Sequence, residues 1–592
     1  MHRTFAIILM AITAISTTAA ANNSGTATDT TTRTVELRIV ETSDVHGHFF
    51  PYDFINRQPI GGTLSRVSTY AGRLRQRYGN RLLLIDNGDI LQGQPTCYYS
   101  NYIMPHDTNI AARIVNFMGY DAETVGNHDI EPGHAVYDKW IREVRCPVLG
   151  ANIVNKETGL PYVRPYSVHD IDGARVVILG MTTPTIPFWL HESLWQGLEF
   201  TDMVACAKKW IKVIREQEQP DVIIGLFHSG KNGGIATPHL AENASEAVAR
   251  EVPGFDVVFY GHDHTLHKDW VKNVEGDSVL CLDPSCYANY VGDATITLTY
   301  DSQGQLLTKM IDGRLTCVAT EDVDQTLVAH FQNAIDSVKH YVNRRIGYFD
   351  TAIDAHDCFF GPSPFTDYIH SVQLRLTGAD ISFNAPLTPD AHINRGPISM
   401  GDLFNLYRYE NLICVLSLTG DEVRRHLEMS YDLWANTMTK ASDHALRISK
   451  GAWNATNSKR ERWGFDNITF NFDSAAGIDY EVDLRKPDGE KVRILRMSNG
   501  KPFDPKATYR VVMNSYRANG GGELLTRGAG IPQEELAQRL VYQSERDQRY
   551  YLMLDIERQR HVMPKANRNW RFVPESWTRQ ALRRDRKLLF GN

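Results

Sequence analysis

The chain contains no Cys-x-x-Cys pair, no apolar run after its first twenty residues long enough to cross a bilayer, and no internal repeat. Its eight cysteines are scattered over 592 residues, the first at Cys97. That argues against a thiolate zinc site and leaves no thiol for lipid attachment near the amino terminus. Cys281 and Cys286, in CLDPSC, are near enough for a local disulfide in an oxidising compartment, and the other cysteines read as buried small hydrophobes. Proline is modest, at 25 against 43 glycines, and low complexity is confined to the Thr-rich stretch at 26–34. Collagen-like, disordered and coiled-coil readings are thereby excluded. Net charge is also small, at −7 from 63 basic and 70 acidic residues. Such a balance gives no electrostatic reason to bind a nucleic acid polymer or an anionic membrane, and it leaves nucleotides open as small substrates.

What is present is length enough for two or three domains, each with its own core. The start, MHRTFAIILMAITAISTTAAANNSG, places Arg3 before an apolar run from Phe5 to Ile15 and small residues through Ala21. It reads as a secretory signal peptide over residues 1–21, too short in its apolar part to span a bilayer. A periplasmic or secreted, monomeric protein with no membrane span is expected. From Val35 to about residue 320, apolar runs such as VELRIV, RLLLID, VVILGM, DVIIGLF and DVVFY alternate with longer segments. They predict an α/β domain at 34–320 with sheets covered by helices. Leu327, Phe331, Ile335, Val338 and Val342 recur at spacings of three and four, predicting one joining helix over 321–346. Residues 347–575 mix helical patterns with short strands such as ICVLSL and YRVVM, an α+β second domain. The arginines at 579, 583, 584 and 586 read as a solvated helix face.

Five polar clusters stand just past strand-like runs: SDVHGH with Asp44 and His46, DNGD with Asp86 and Asp89, GNHD with Asn127 and His128, FHSG with His228, and YGHDH with His262 and His264. Ligands of α/β sheets gather at the carboxyl ends of strands, so residues far apart in sequence can meet there. Each cluster alone is weak evidence. Five in one domain, all imidazole, carboxylate or amide, point to metal ions held by nitrogen and oxygen, which suits Zn, Mn, Fe or Co. Asp86 reads as a turn residue before Asn-Gly and is left outside that set.

The order of these motifs resembles the calcineurin-like metallophosphoesterases, whose signature runs DxH, GD, GNHD or GNHE, H and GHxH. Within them, the secreted 5'-nucleotidase and 2',3'-cyclic-nucleotide 2'-phosphodiesterase family is most similar, because the likeness continues through the second domain. The resemblance implies a layered α/β sandwich followed by an α+β substrate-binding domain, with two divalent metal ions per chain. It would put Asp44, His46 and His264 on one ion, Asn127, His228 and His262 on the other, and Asp89 between them. Two such ions about 3.5 to 4 Å apart polarise phosphoryl oxygens and generate a bridging hydroxide for in-line attack. The pattern sets His128 by the leaving oxygen. The partner that fixes its tautomer, usually Asp, falls at Glu131, with Asp129 as competitor and a capping or surface role for Glu131 as the alternative. His48 has no ligand role in it.

In the second domain, YRYEN and NSYRANGGG are similar to the family's two base-sandwiching elements. That implies a nucleoside pocket with Tyr409 and Tyr516 on opposite faces of the base, and Asn411, Arg517, Ala518, Asn519, Gly520 and Gly521 nearby. Two features depart from the 5'-nucleotidase branch: Gly521 is followed by Gly522 where that branch ends in Gly-Gly-Asp, and FNAP stands where it shows Asn-Gly-Gly with a following Arg. An acid that accepts from a free ribose diol would repel a 2' or 3' phosphate. Its absence favours a 2',3'-cyclic-nucleotide 2'-phosphodiesterase and 3'-nucleotidase. A 5'-nucleotidase or UDP-sugar hydrolase is the alternative, and a non-catalytic nucleotide-binding surface protein the remote one.

Overall fold

The computed structural model describes residues 32–451 and 462–591, so the signal peptide expected at 1–21 lies outside the described residues. Residues 33–317 build two six-stranded sheets. In the first, the order is Leu306–Cys317, Tyr290–Tyr300, Arg33–Thr42, Leu82–Asp86, Ala122–Thr124, Val148–Leu149. In the second it is Leu266–Lys272, Ser278–Pro284, Val257–Tyr260, Val222–His228, Ala174–Thr182, Tyr166–Ile171. The central strands of each sheet run parallel. They are apolar on both faces because both faces are covered. Leu37, Ile39, Leu83 and Ile85 of the first sheet pack on Ile178, Ile224, Leu226 and Phe259 of the second. Helices Leu64–Tyr78, Ile110–Met118 and His134–Glu143 close the first sheet from outside, and Met203–Gln217 and Ser245–Glu251 close the second. This is the layered sandwich, with a second α+β unit behind it.

The joining segment differs from the single helix expected over 321–346. Two helices, Gln325–His330 and Gln332–Asn343, meet at Phe331. Asp324 explains the late start, since its carboxylate accepts from the backbone N–H groups of Thr326 and Leu327 at 2.9 and 3.1 Å and caps the first helix. Phe331 sits at the break, fully buried between Phe50 and Phe117. The apolar spacing survives the break, and the stripe joins a core continuous from the helices over the first sheet to Phe349, Phe365, Leu403 and Ile556.

The disulfide that the CLDPSC spacing allowed is not formed, and the reading of the last helix is corrected. Cys281 and Cys286 are unbonded, as are the other six cysteines: Cys281 faces the core beneath the second sheet, whereas Cys286 lies beyond the strand's end. The arginine-bearing helix Glu575–Phe590 is not simply a solvated face. Arg579 and Arg583 are exposed, but Arg586 pairs with Asp357 at 2.7 Å and Arg584 donates to the Asp443 carbonyl, while Ala581, Leu588 and Phe590 pack into the second unit's core.

That second unit is built on a five-stranded sheet ordered Ser474–Ala476, Ile381–Asn384, Thr508–Asn514, Leu412–Thr419, Leu540–Asp547. Helix Gln548–Gln559 follows its last strand and carries Arg549, whose side chain is fully buried. Arg549 donates to the carbonyl of Tyr407 at 3.0 Å and to that of Arg408, pairs with Glu410 at 3.0 Å, and lies over the rings of Phe404 and Tyr98. One guanidinium therefore fixes the whole 407–410 turn and ties it to the first domain. Removing one partner of a buried ion pair costs about 3–5 kcal/mol. Arg549→Met should lower the unfolding free energy from urea denaturation by an amount in that range and loosen the turn; an unchanged unfolding free energy would show that the turn holds itself.

Candidate active site

Both sheets deliver the carboxyl ends of their parallel strands to one edge, and all five clusters lie there. Asp44 and His46 follow Arg33–Thr42, Asp89 follows Leu82–Asp86, Asn127 follows Ala122–Thr124, His228 ends Val222–His228, and His262 and His264 follow Val257–Tyr260. The backbone turns sharply at three of these exits. Asp44, His46, Asp89, His262 and His264 all sit at positive φ, between 48° and 79°. Non-glycine residues held there cost of order 1–3 kcal/mol each and persist only where the surroundings over-determine them.

The side chains form two groups, Asp44 with His46 and His264, and Asp89 with His228 and His262, each able to hold an ion. In the first, His46 Nε2 lies 3.1 Å from His264 Nε2, and His264 Nε2 lies 3.2 Å from Asp44 Oδ1. In the second, His228 Nε2 is 3.2 Å from Asp89 Oδ2 and 3.1 Å from Asn127 Oδ1. Asp89 Oδ2 is also 3.8 Å from His46 Nε2, so it stands between the groups. The far nitrogens are already engaged: His46 Nδ1 with the Gln92 carbonyl at 3.2 Å, His228 Nδ1 with the Asn87 carbonyl at 2.6 Å, and His262 Nε2 with Glu242 Oε1 at 3.2 Å. Each ring is thus fixed with its remaining nitrogen toward the centre.

Divalent ions fit this donor set. Asp44 Oδ1 is buried without a hydrogen bond, and the His46 and His264 Nε2 atoms converge to 3.1 Å beside it, a set of donors that a cation can share. Burial opposes protonation of His228, but the carboxylates of Asp89 and Asp44 raise it to about 10. Burial would raise Asp89 in turn, yet His228 and His128 hold it well below the usual carboxylate range.

Asp129 and Glu131 have separate tasks. The Asp129 carboxylate accepts from the backbone N–H groups of Asp89, Ile90, Leu91 and Gly126 at 2.8–2.9 Å, pinning the turn that presents Asp89. Glu131 Oε2 lies 2.5 Å from His128 Nδ1. Burial works against a charged His128, but Asp89 and Glu131 raise it to about 9. Asp86 takes the Thr42 hydroxyl at 2.6 Å and the Gly88 N–H at 3.0 Å, a turn role, and His48 stacks on Tyr287 at 4.6 Å.

The second unit faces this edge with its two loops. Tyr409 and Tyr516 are half-buried, and burial raises both phenols, Tyr516 to about 12. Phe470 meets the Tyr516 ring edge-on at 5.9 Å, Gly521 packs beneath that ring, and Asn519 Nδ2 reaches the Trp189 carbonyl at 3.4 Å. Ala518 and Gly520 are buried within the loop. Asn411 is buried against Tyr407. Arg517 is buried and turned inward, pairing with Asp473 at 2.8 Å and donating to the Phe470 carbonyl at 2.9 Å, so it braces the loop from behind. Three neighbours of the centre escaped sequence reading. Glu242 occupies no motif, Trp189 lies 5.6 Å from the His262 ring, and Tyr287 lies 5.8 and 5.9 Å from His46 and His264.

Residues 37–266 match the family model of calcineurin-like phosphoesterases, and residues 343–527 match that of the 5'-nucleotidase C-terminal domain. A 2',3'-cyclic-nucleotide 2'-phosphodiesterase/3'-nucleotidase of Haemophilus influenzae is 27% identical, over 91% of this chain and 88% of its own length. A Staphylococcus aureus protein crystallised with alpha-ketoglutarate shares the fold with a TM-score of 0.73 at 21% identity, covering 91% of this chain and 100% of that one. A 5'-nucleotidase precursor from Thermus thermophilus does so with 0.61 at 22%, covering 91% and 100%. With its ligand-bearing loops on one sandwich edge and its second unit facing them, the chain joins an N-terminal calcineurin-like phosphoesterase domain to a 5'-nucleotidase C-terminal domain.

Proposed function

We propose that the protein is an exported hydrolase of nucleotide phosphate esters, acting on 2',3'-cyclic nucleotides and 3'-nucleotides. The observation that carries this reading is the convergence of Asp44, His46, Asp89, Asn127, His228, His262 and His264 beside Tyr409 and Tyr516. The name of the Haemophilus influenzae relative supports the substrate class. Asp44, His46 and His264 would hold one ion, Asn127, His228 and His262 the other, and Asp89 both; Zn, Mn, Fe or Co suits these donors. Two such cations activate water and polarise phosphoryl oxygens. His128 is not needed as a ligand. Held by Glu131 through Nδ1, it presents Nε2 as a donor to the departing ester oxygen.

The loop after Tyr516 bears on which ester is taken. Gly522 has φ 70°, and a Cβ there would collide with Asn471 Oδ1 and Arg517. A carboxylate for a free ribose diol is absent here, and one at this position would have to displace the Asn471 and Arg517 side chains, which supports the 2',3'-cyclic and 3' reading over the 5' one. Stacking on tyrosines acts on the face every base possesses, so the phosphate's position should matter more than the base.

His128→Ala should keep its metal content and lose roughly 10²–10⁴ in kcat, the usual range for a positioned proton donor, with a smaller loss on a nitrophenyl phosphate. In a side-by-side assay with added Mn or Zn, 2',3'-cyclic AMP and 3'-AMP should be hydrolysed with higher kcat/KM than 5'-AMP or UDP-glucose; preference for 5'-AMP would overturn the ester assignment and leave the metal chemistry standing. Glu242 offers a further test. Its Oε1 takes the His262 Nε2–H while its other oxygen is held by the Ile235 N–H at 2.6 Å. Glu242→Gln should weaken one of the two metal sites about 10- to 100-fold, read by Mn titration, and leave the other near its wild-type affinity.

A further inference from the structure

Arg408 is a half-buried guanidinium without a counter-ion. Among the described residues no carboxylate lies within 4.0 Å of it. The acid nearest in sequence, Glu410, is taken by Arg549 at 3.0 Å. Of its five N–H donors, one has a protein partner, the Tyr287 hydroxyl at 3.3 Å from Nη2. Its position is not incidental. Tyr287 lies against His46 and His264, the next residue is Tyr409, and its backbone carbonyl is held by Arg549. A cation with unused donors therefore stands between the metal-ligand edge and the proposed base-stacking loop, its backbone fixed by Arg549.

Withdrawing a guanidinium from water without a paired charge is unfavourable, and it is retained where an anion arrives to complete it. We propose that Arg408 is a substrate-binding residue whose fork takes a non-bridging phosphoryl oxygen of the nucleotide and fixes the phosphate against the metal edge. The ligand class is a phosphate ester or free phosphate, matching the planar two-point geometry of arginine. This rests on the nucleotide-hydrolase reading above. The competing explanation is that Arg408 serves only as the donor to Tyr287 and ties the two domains.

Calorimetric titration of the Mn-loaded protein with inorganic phosphate, and separately with adenosine, tests it. Arg408→Gln should weaken phosphate about tenfold or more, the loss expected for a charge-assisted contact, and leave adenosine within about twofold. Tyr287→Phe should leave phosphate within about twofold. Arg408→Lys keeps the charge without the fork and should fall between, and it keeps the test open if the glutamine variant does not fold. Unchanged phosphate affinity in both Arg408 variants, or an equal loss in Tyr287→Phe, overturns the proposal. A wild-type protein that binds phosphate through Arg408 but hydrolyses no nucleotide would instead overturn the reading on which it rests.

Discussion

Asp89 is a carboxylate that cannot reach water, and the arrangement around it follows from that. One oxygen takes the backbone N–H of His128 at 2.7 Å, and the other faces His228 and His46. Gly126 must be a glycine because any Cβ there would strike this carboxylate. Asp129 then grips both loops, bonding the N–H groups of Asp89 and Gly126 with one oxygen. The loops after two adjacent strands are thus locked to each other through two acids, one turned toward the ions and one toward the backbone. His128 comes to the centre because its own N–H is one of the bonds that hold Asp89.

The second unit uses arginine in the same way. Arg549 fixes the turn that carries Tyr409, and Arg517 braces the loop that carries Tyr516, each by carbonyls and one buried acid. Both tyrosines are left as the free surfaces of rigid loops. Were a base to stack on them, as proposed, little rotamer freedom would be lost, which would favour binding beyond the stacking itself.

The sandwich was legible because covered parallel strands must be apolar on both faces, as in VVILGM and DVIIGLF. The positions of the polar clusters followed from the rule that ligands gather at strand ends. What escaped depends on contacts that no local pattern encodes. The break at Phe331 leaves the apolar spacing intact, so periodicity cannot reveal it. Arg517 lies in a loop motif, yet its inward turn is decided by Asp473, more than forty residues away. Glu242 comes from a loop whose approach to His262 is purely tertiary. Arg408 was in view inside YRYEN, but its lack of a counter-ion is visible only once Glu410 is seen paired with Arg549.

Beneath the ligands lies a layer of acids that the chemistry requires to be silent. Glu41, Asp86, Glu123 and Asp283 are all fully buried, and for each the largest effect is burial, which raises the carboxyl; Asp86 reaches about 8. Both oxygens of Glu41 and of Glu123 lack hydrogen-bond partners, as expected for groups that are not charged. Two divalent cations held against the charges of Asp44 and Asp89 would leave the centre positive and draw a phosphate anion. Were the deeper layer ionised, four more negative charges would cancel that attraction. Burial pushes all four carboxyls toward the neutral form, whereas Asp44 and Asp89, beside the imidazoles, are held in the charged one.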